Sequence, residues 1–264
     1  MIKFQPIFLL LPMAFVLGSV VGSFLNVCIY RIPAGLSIVH PPSRCPHCEN
    51  PIRWYQNIPL LSWIVLRGRC ASCKAPVSYR YPLIEALSGG LYLLVFLYFG
   101  LSWSTLVFWI FFSLLLVITF IDLDHQIIPN VLSLPGIVVG FACALFALPL
   151  TWQDSAFGAV LGAALLWSVA TGYRLLMGAE GMGMGDVKLL AMIGAFLGWQ
   201  AVLPVVFLGS VAGTLIGVPL MLFKGEGGKL AIPFGPFLSL GAFFYVFFWA
   251  ELFNWYVSTF FQSI

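Results

Sequence analysis

The sequence predicts an all-α polytopic membrane protein of about eight transmembrane helices, and three observations predict it. First, 61% of the 264 residues are apolar and only 8% are charged, against roughly 25% charged in an average soluble domain. Second, the apolar residues fall in long runs separated by short polar breaks. Third, the single sizeable polar stretch carries four of the six cysteines. A soluble enzyme is excluded by this composition. The net charge of +3 is too small to argue for a nucleic-acid partner, and six cysteines are too few for a disulfide scaffold.

The candidate spans run from Pro6 to Val27, Leu83 to Phe99, Thr105 to Ile121, Val131 to Leu150, Ala156 to Met177, Val187 to Trp199, Ala201 to Phe223 and Phe234 to Phe260. The first is preceded by one lysine, Lys3, and no small-residue cleavage site closes a short apolar core, so it reads as a membrane helix and not a removable signal. From Val187 to Phe223 a single straight helix would be about 55 Å long, nearly twice the hydrocarbon thickness. Two shorter spans with a turn near Gly198 are expected instead. Threading eight spans places Arg31, Arg44, Arg53, Arg67, Arg69, Lys74, Arg80, Arg174, Lys188, Lys224 and Lys229 on one face and only Lys3 on the other. The positive-inside rule makes that face cytoplasmic. Both termini then lie outside. Small-residue patterns, Gly158 to Gly162, Gly194 to Gly198 and Gly209, Gly213, Gly217, are expected to let helix backbones approach.

The cytoplasmic loop, about residues 28–82, holds Cys45-Pro-His-Cys48 and Cys70-Ala-Ser-Cys73. Each C-x2-C turn aims two thiolates at one point, and two such turns complete a tetrahedral sulfur site for zinc; the 21-residue spacer between them slightly exceeds the usual length. A reducing cytoplasm disfavours disulfides. Four thiolates leave no open coordination position, so Cys45, Cys48, Cys70 and Cys73 are expected to hold a structural zinc in a loop that lacks a core. His47 is the alternative ligand. Cys28 and Cys143 read as small apolar residues beside spans.

Among the nine acids, two segments stand out: Ile121-Asp122-Leu-Asp124-His125, followed by Pro129-Asn130, and Gly181-Met-Gly183-Met-Gly185-Asp186-Val-Lys188. The chain crosses the membrane twice between Asp122 and Asp186, so both carboxylates return to one face and can meet. In a low-dielectric site two such carboxylates would share a proton, which is aspartic-protease chemistry. Gly183 and Gly185 would form a loop that lets a substrate backbone approach. The residues alone also allow helix caps, a proton relay in a transporter, or Asp122, Asp124 and His125 as oxygen and nitrogen ligands for magnesium or phosphate. Glu85, at the start of the second span, would pair with Arg80 or orient the loop; Glu251 lies far from the site. Abundant Trp, Tyr and Phe fit interface anchoring and packing.

Taken together these residues closely resemble the bacterial type IV prepilin peptidases, membrane aspartic proteases with a G-x-G-D motif, here Gly183-Met-Gly185-Asp186. The likeness extends over nearly the whole chain through Gly22-Ser-Phe-Leu-Asn26, Arg31-Ile-Pro33, the paired C-x2-C turns, Arg80-Tyr-Pro-Leu-Ile-Glu85 and Ile232-Pro-Phe-Gly-Pro236. The resemblance implies an enzyme of the bacterial inner membrane. Such an enzyme cuts the short basic leader from type IV prepilins or type II secretion pseudopilins, after a glycine, on the cytoplasmic side of the substrate's apolar segment. It then N-methylates the new N-terminus, commonly phenylalanine, with S-adenosylmethionine. The catalytic aspartates of the family match Asp122 and Asp186; Asp124 becomes a supporting acid. Where many relatives carry an aspartate after Ile-Pro, this chain has Asn130.

Two parts are expected: residues 1–102, with the four-cysteine loop, for methyl transfer, and residues 103–264 as the peptidase core. No strand, glycine turn and helix unit for a nucleoside cofactor is present in the sequence, and the glycines at 181, 183 and 185 precede a membrane helix, so they are not a cofactor loop. Methyl transfer therefore rests on the resemblance alone, and the residues that bind S-adenosylmethionine are not assigned. Gly68 and Arg69 either meet an anionic group or shape the second knuckle. Prepilin-like proteins and membrane lipid are the expected partners, and nucleic acid is not. The readings that compete are a peptidase without methylation and a proton-coupled transporter.

Overall fold

The computed structural model describes residues 7–178, 182–224 and 233–260; Lys3, Gly181, Lys229 and Ile232 lie outside them. All regular structure among the described residues is helical. The chain forms two compact units, one ending at Val117 and the other beginning at Ile118.

The first unit contains α1 (Ile7–Arg31), the short α2 (Leu61–Val65), α3 (Arg80–Phe99) and the greater part of α4 (Trp103–His125). Helix α1 packs on α3 through small residues. A Cβ on Gly18 would stand 2.6 Å from Tyr92 Cβ, and one on Gly22 would stand 2.8 Å from Glu85 Cα. Close approach lets side chains bond the opposite backbone: Ser88 Oγ donates to the Gly18 carbonyl at 2.7 Å and Asn26 Nδ2 to the Tyr81 carbonyl at 3.2 Å. In lipid such bonds contribute about 0.6–2 kcal/mol each, and they fix which faces meet. Tyr92 continues the network to α4, stacking on Trp109 with centroids 4.8 Å apart and lying 3.0 Å from Ser113 Oγ.

Glu85 takes one of its two expected roles, orienting the loop. It is buried on α3, and its Oε2 accepts the N–H of Leu60 at 2.8 Å. Leu60 opens α2 with φ of 62°, a conformation that strains a branched side chain. The carboxylate thus orients the loop against α1 and α3, with Ser23 of α1 as a further partner.

The second unit takes the end of α4 and then α5 (Asn130–Phe146), α6 (Trp152–Met177), α7 (Met184–Leu197), α8 (Trp199–Lys224) and α9 (Gly235–Phe260). At its centre lies α7, where Val187 and residues 189–196 are buried and only Lys188 between them is not, with α5, α6, α8 and α9 packed around it. Gly158 of α6 meets Gly194 of α7 backbone to backbone, and Gly162 meets Leu190. Ser155 Oγ donates to the Ala195 carbonyl at 2.6 Å. Gly209 faces the Phe237 carbonyl of α9, as the small-residue pattern implied. Asp154 lies in the first turn of α6, which Thr151 caps: Thr151 Oγ1 accepts the Asp154 N–H at 3.1 Å, and Trp199 Nε1 donates to the Asp154 carboxylate at 3.0 Å.

Each of the eight apolar runs became a helix, but six, namely α1, α3, α4, α6, α8 and α9, are long and apolar enough to cross a membrane. With 14 residues α7 is only about 21 Å long, and α5, with 17, stops at Phe146 short of Leu150. The expected turn stands at Gly198, where φ is 82°. The count of eight therefore resolves into six full-length helices and two shorter apolar ones among the described residues. Burial of α7 within its own unit removes the need for it to match the hydrocarbon thickness.

Candidate active site and metal centre

Both aspartates of the expected pair lie in the second unit at helix ends. Asp122 sits in the last turn of α4 and is 5% exposed; Asp186 sits in the first turn of α7 and is 9% exposed. The two carboxylates are within electrostatic reach of one another. Asp124, two residues beyond Asp122, is exposed on the opposite side of the same helix, as a rotation of about 200° requires.

Asp122 is held from a third element. The N–H of Gly235, first residue of α9, donates to Asp122 Oδ2 at 3.1 Å, so the carboxylate rests on the positive end of that helix. A Cβ at 235 would stand 2.6 Å from the same oxygen. Glycine is needed there to leave room for the acid. The sequence signalled this position through Gly235-Pro236, a turn residue followed by the residue best suited to open a helix, but not its partner.

The glycines beside Asp186 differ. A Cβ at Gly185 would come 2.8 Å from Ile128 Cβ, whereas among the described residues only the Gly185 nitrogen, at 3.9 Å, lies within 4 Å of a Cβ at Gly183. Gly183 has an ordinary extended conformation, φ −74° and ψ 145°, and its carbonyl accepts the Asp186 N–H at 3.2 Å. Gly185 is therefore small for packing, and Gly183 meets no such close contact among the described residues. Ile128 also reaches the Gly235 position, at 3.2 Å, and so bridges both glycines. Lys188 Nζ donates to Asn130 Oδ1 at 2.7 Å, tying α7 to the first residue of α5. Asn130, the departure noted in the sequence, thus has a partner of its own.

In the first unit Cys45, Cys48, Cys70 and Cys73 gather, with one sulfur from each lying within 4.8 Å of all the others. Cys45 Sγ and Cys73 Sγ are 3.8 Å apart, too far for a disulfide and close to the edge, about 3.8 Å, of a tetrahedron with zinc–sulfur bonds of about 2.3 Å. His47 does not belong to the cluster.

The two knuckles have one construction. Cys45 N–H bonds the Asn50 carbonyl and Cys70 N–H the Ala75 carbonyl; Glu49 and Lys74, each just past the second cysteine, have φ of 55° and 62°. Bridges Arg44–Pro51 and Arg69–Pro76 close them. The N–H groups of Cys73 and Ser72 bring the Cys70 thiol down to about 6. At Cys48 the Asn50 N–H acts against burial and the neighbouring thiols, which push it up to about 11. Gly68 is part of this frame: its φ is 64°, a Cβ would meet Trp63 at 2.9 Å, and its carbonyl accepts the Val77 N–H at 2.7 Å. It shapes the second knuckle.

The chain matches two family models, the bacterial peptidase A24 N-terminal domain over residues 16–99 and the type IV leader peptidase family over residues 109–218. Proteins named prepilin leader peptidase/N-methyltransferase are similar along most of their length. The one from Stutzerimonas stutzeri is 43% identical, covering 86% of each chain. Those from Aeromonas hydrophila and Pseudomonas aeruginosa are 38% and 39% identical, covering 94% of both chains in the first case and 87% of this chain and 89% of the relative in the second. No solved structure gives a significant match. Identity at this level over this extent places the chain in the type IV leader peptidase family.

Proposed function

We propose that this protein removes the leader from type IV prepilins or type II secretion pseudopilins and then methylates the exposed N-terminus, as the names of its relatives describe. One observation carries the peptidase reading: two buried carboxylates, from the ends of α4 and α7, lie within electrostatic reach of each other, the second directly after Gly183 and Gly185 in the chain. Asp122 and Asp186 share one proton. The ionised carboxylate takes a proton from water as that water attacks the scissile carbonyl. The protonated partner hydrogen-bonds the carbonyl oxygen and later supplies the leaving amine with a proton. Gly235 N–H engages Oδ2 of Asp122, which leaves Oδ1 for the water.

Eleven of the twelve cations in the sequence fall on one face when the apolar runs are threaded, which makes that face cytoplasmic and the membrane the bacterial inner one. A prepilin presents a basic leader followed by an apolar helix, so its scissile bond lies at the interface where Asp122 and Asp186 end their helices. The match in depth favours a protease over a proton relay.

The four cysteines fit a zinc ion by donor type and spacing. Bound there, zinc supplies structure and no chemistry, because no coordination position is left open. Residues 1–102 serve methyl transfer and residues 103–264 proteolysis. S-adenosylmethionine supplies an electrophilic methyl group to the new N-terminal amine, which loses a proton.

The test is the intact mass of a purified prepilin after incubation with the detergent-purified protein and S-adenosylmethionine. Loss of the leader mass plus one methyl group is the expected result. An unchanged prepilin, with a known active enzyme processing the same preparation, would overturn the reading.

A further inference from the structure

A cavity of about 470 Å³ opens between the C-terminal third of α1 and the loop that follows it. Its volume lies within the roughly 300–1,000 Å³ typical of small-molecule sites. Val20, Phe24 and Val27 of α1 form an apolar floor. The walls come from residues 38–43 and 54–59. Those two stretches are the chain leading into and out of the first cysteine knuckle. They are tied at its base by the Ile52 N–H to Ser43 carbonyl bond of 2.9 Å and by the Arg44–Pro51 bridge. Whatever fixes Cys45 and Cys48 therefore fixes both walls.

The polar groups in this cavity are few and of one character. Arg31 lines it, and the guanidinium bonds two carbonyls, Ser37 at 2.8 Å and Pro41 at 2.7 Å. Two of its five donors are used in this way. No acidic side chain is among the lining residues. Trp54 stands at the wall 82% exposed, with Asn57 beside it. An apolar floor, a guanidinium with donors to spare and an uncovered indole suit a ligand with a carboxylate at one end and a flat or cationic group at the other. A guanidinium binds carboxylate bidentately, and an indole face takes either a base or an onium ion.

We infer that this cavity holds the methyl donor S-adenosylmethionine, with its carboxylate on Arg31 and its adenine or sulfonium against Trp54. The inference rests on the methyl-transfer reading above and adds to it a location. It also gives the metal cluster a role in methylation without placing the metal at the reaction: the knuckle sets the distance between the walls. Gly68 and Arg69 do not line the cavity, in keeping with their place in the second knuckle. Val20 and Phe24 of the floor are exposed on α1, a helix long and apolar enough to cross a membrane, so the floor belongs to the element beside which a membrane-held substrate would present its N-terminus.

The full-length protein in detergent is titrated with radiolabelled S-adenosylmethionine and, separately, irradiated with it so that the label crosslinks and is mapped by peptide analysis. The variants are Trp54→Ala, which removes the indole, and Asn57→Trp, which fills the cavity; both positions are exposed, and zinc content and melting temperature check the fold. Label within residues 20–59, with affinity lowered about ten-fold or more in each variant, is expected; that is the order of a lost stacking contact. Label mapped elsewhere, or two variants that bind like the unaltered protein, overturns the location while methyl transfer stands. No binding by the unaltered protein overturns methyl transfer itself, and the location with it.

Discussion

Asp122 and Asp124 are two residues apart on α4 and meet opposite surroundings, the first buried beneath Gly235 and the second exposed. Asp122→Asn and Asp186→Asn should each abolish leader cleavage while expression and zinc content stay as they were. Asp124→Asn should retain most of it, measured as the rate of prepilin shortening. A shared proton predicts a bell-shaped pH profile, with activity lost in acid as both carboxyls protonate and in base as both ionise. The glycines separate packing from access. Gly185→Ala forces a contact with Ile128 and should destabilise by about 1–3 kcal/mol in thermal unfolding. Gly183→Ala forces no close contact among the described residues but puts alanine at the N-cap of α7 and should cost about 0.5–1 kcal/mol, so loss of cleavage in a variant that remains folded reports on the substrate backbone. The two aspartates were legible in the sequence because an even number of crossings returns them to one face. The contact of Gly235 with Asp122 and the packing of Ile128 were not, since a backbone donor 113 residues away and a side chain wedged between two glycines leave no periodic trace.

The cysteine loop is built from a repeated element. Arg44-Cys45-x2-Cys48-x2-Pro51 and Arg69-Cys70-x2-Cys73-x2-Pro76 fold alike, down to the positive φ at Glu49 and Lys74. The cysteine spacing alone pointed to a metal; the flanking arginine and proline repeat shows why both turns have one shape. With few buried side chains in this loop, its order depends on the sulfur cluster and on Glu85. Stripping metal with a strong chelator should release about one zinc per chain and make the loop more susceptible to proteolysis, read by limited digestion, while the helices of the second unit resist. Glu85→Ala should leave the Leu60 N–H without its acceptor at a cost of about 1–3 kcal/mol. Lengths were less legible than positions. Hydropathy marks where a helix is apolar, but α7 is apolar because most of its residues, 189–196 without exception, are buried in protein, and nothing in its composition distinguishes protein around it from lipid.

Over the full chain, charge and hydropathy are independent records of the same topology: one draws the helices and the other orients them. Cysteines placed singly in the loop should be labelled by a membrane-impermeant maleimide only after the cytoplasmic side is opened, and labelling of intact cells would reverse the orientation. Family membership follows from likeness along most of the chain, and the all-helical frame was evident from composition before it. The α1 cavity was not, because its floor and walls come from three separated stretches whose residues form no motif.

The central claim is that two carboxylates, Asp122 and Asp186, cut the substrate together. Its most direct measurement is the intact mass of a prepilin incubated side by side with the purified protein, the Asp122→Asn variant and the Asp186→Asn variant, each verified as folded by its melting temperature and zinc content. The account predicts leader loss with the unaltered protein and an uncut substrate with both variants. Cleavage at an undiminished rate by either variant would contradict it.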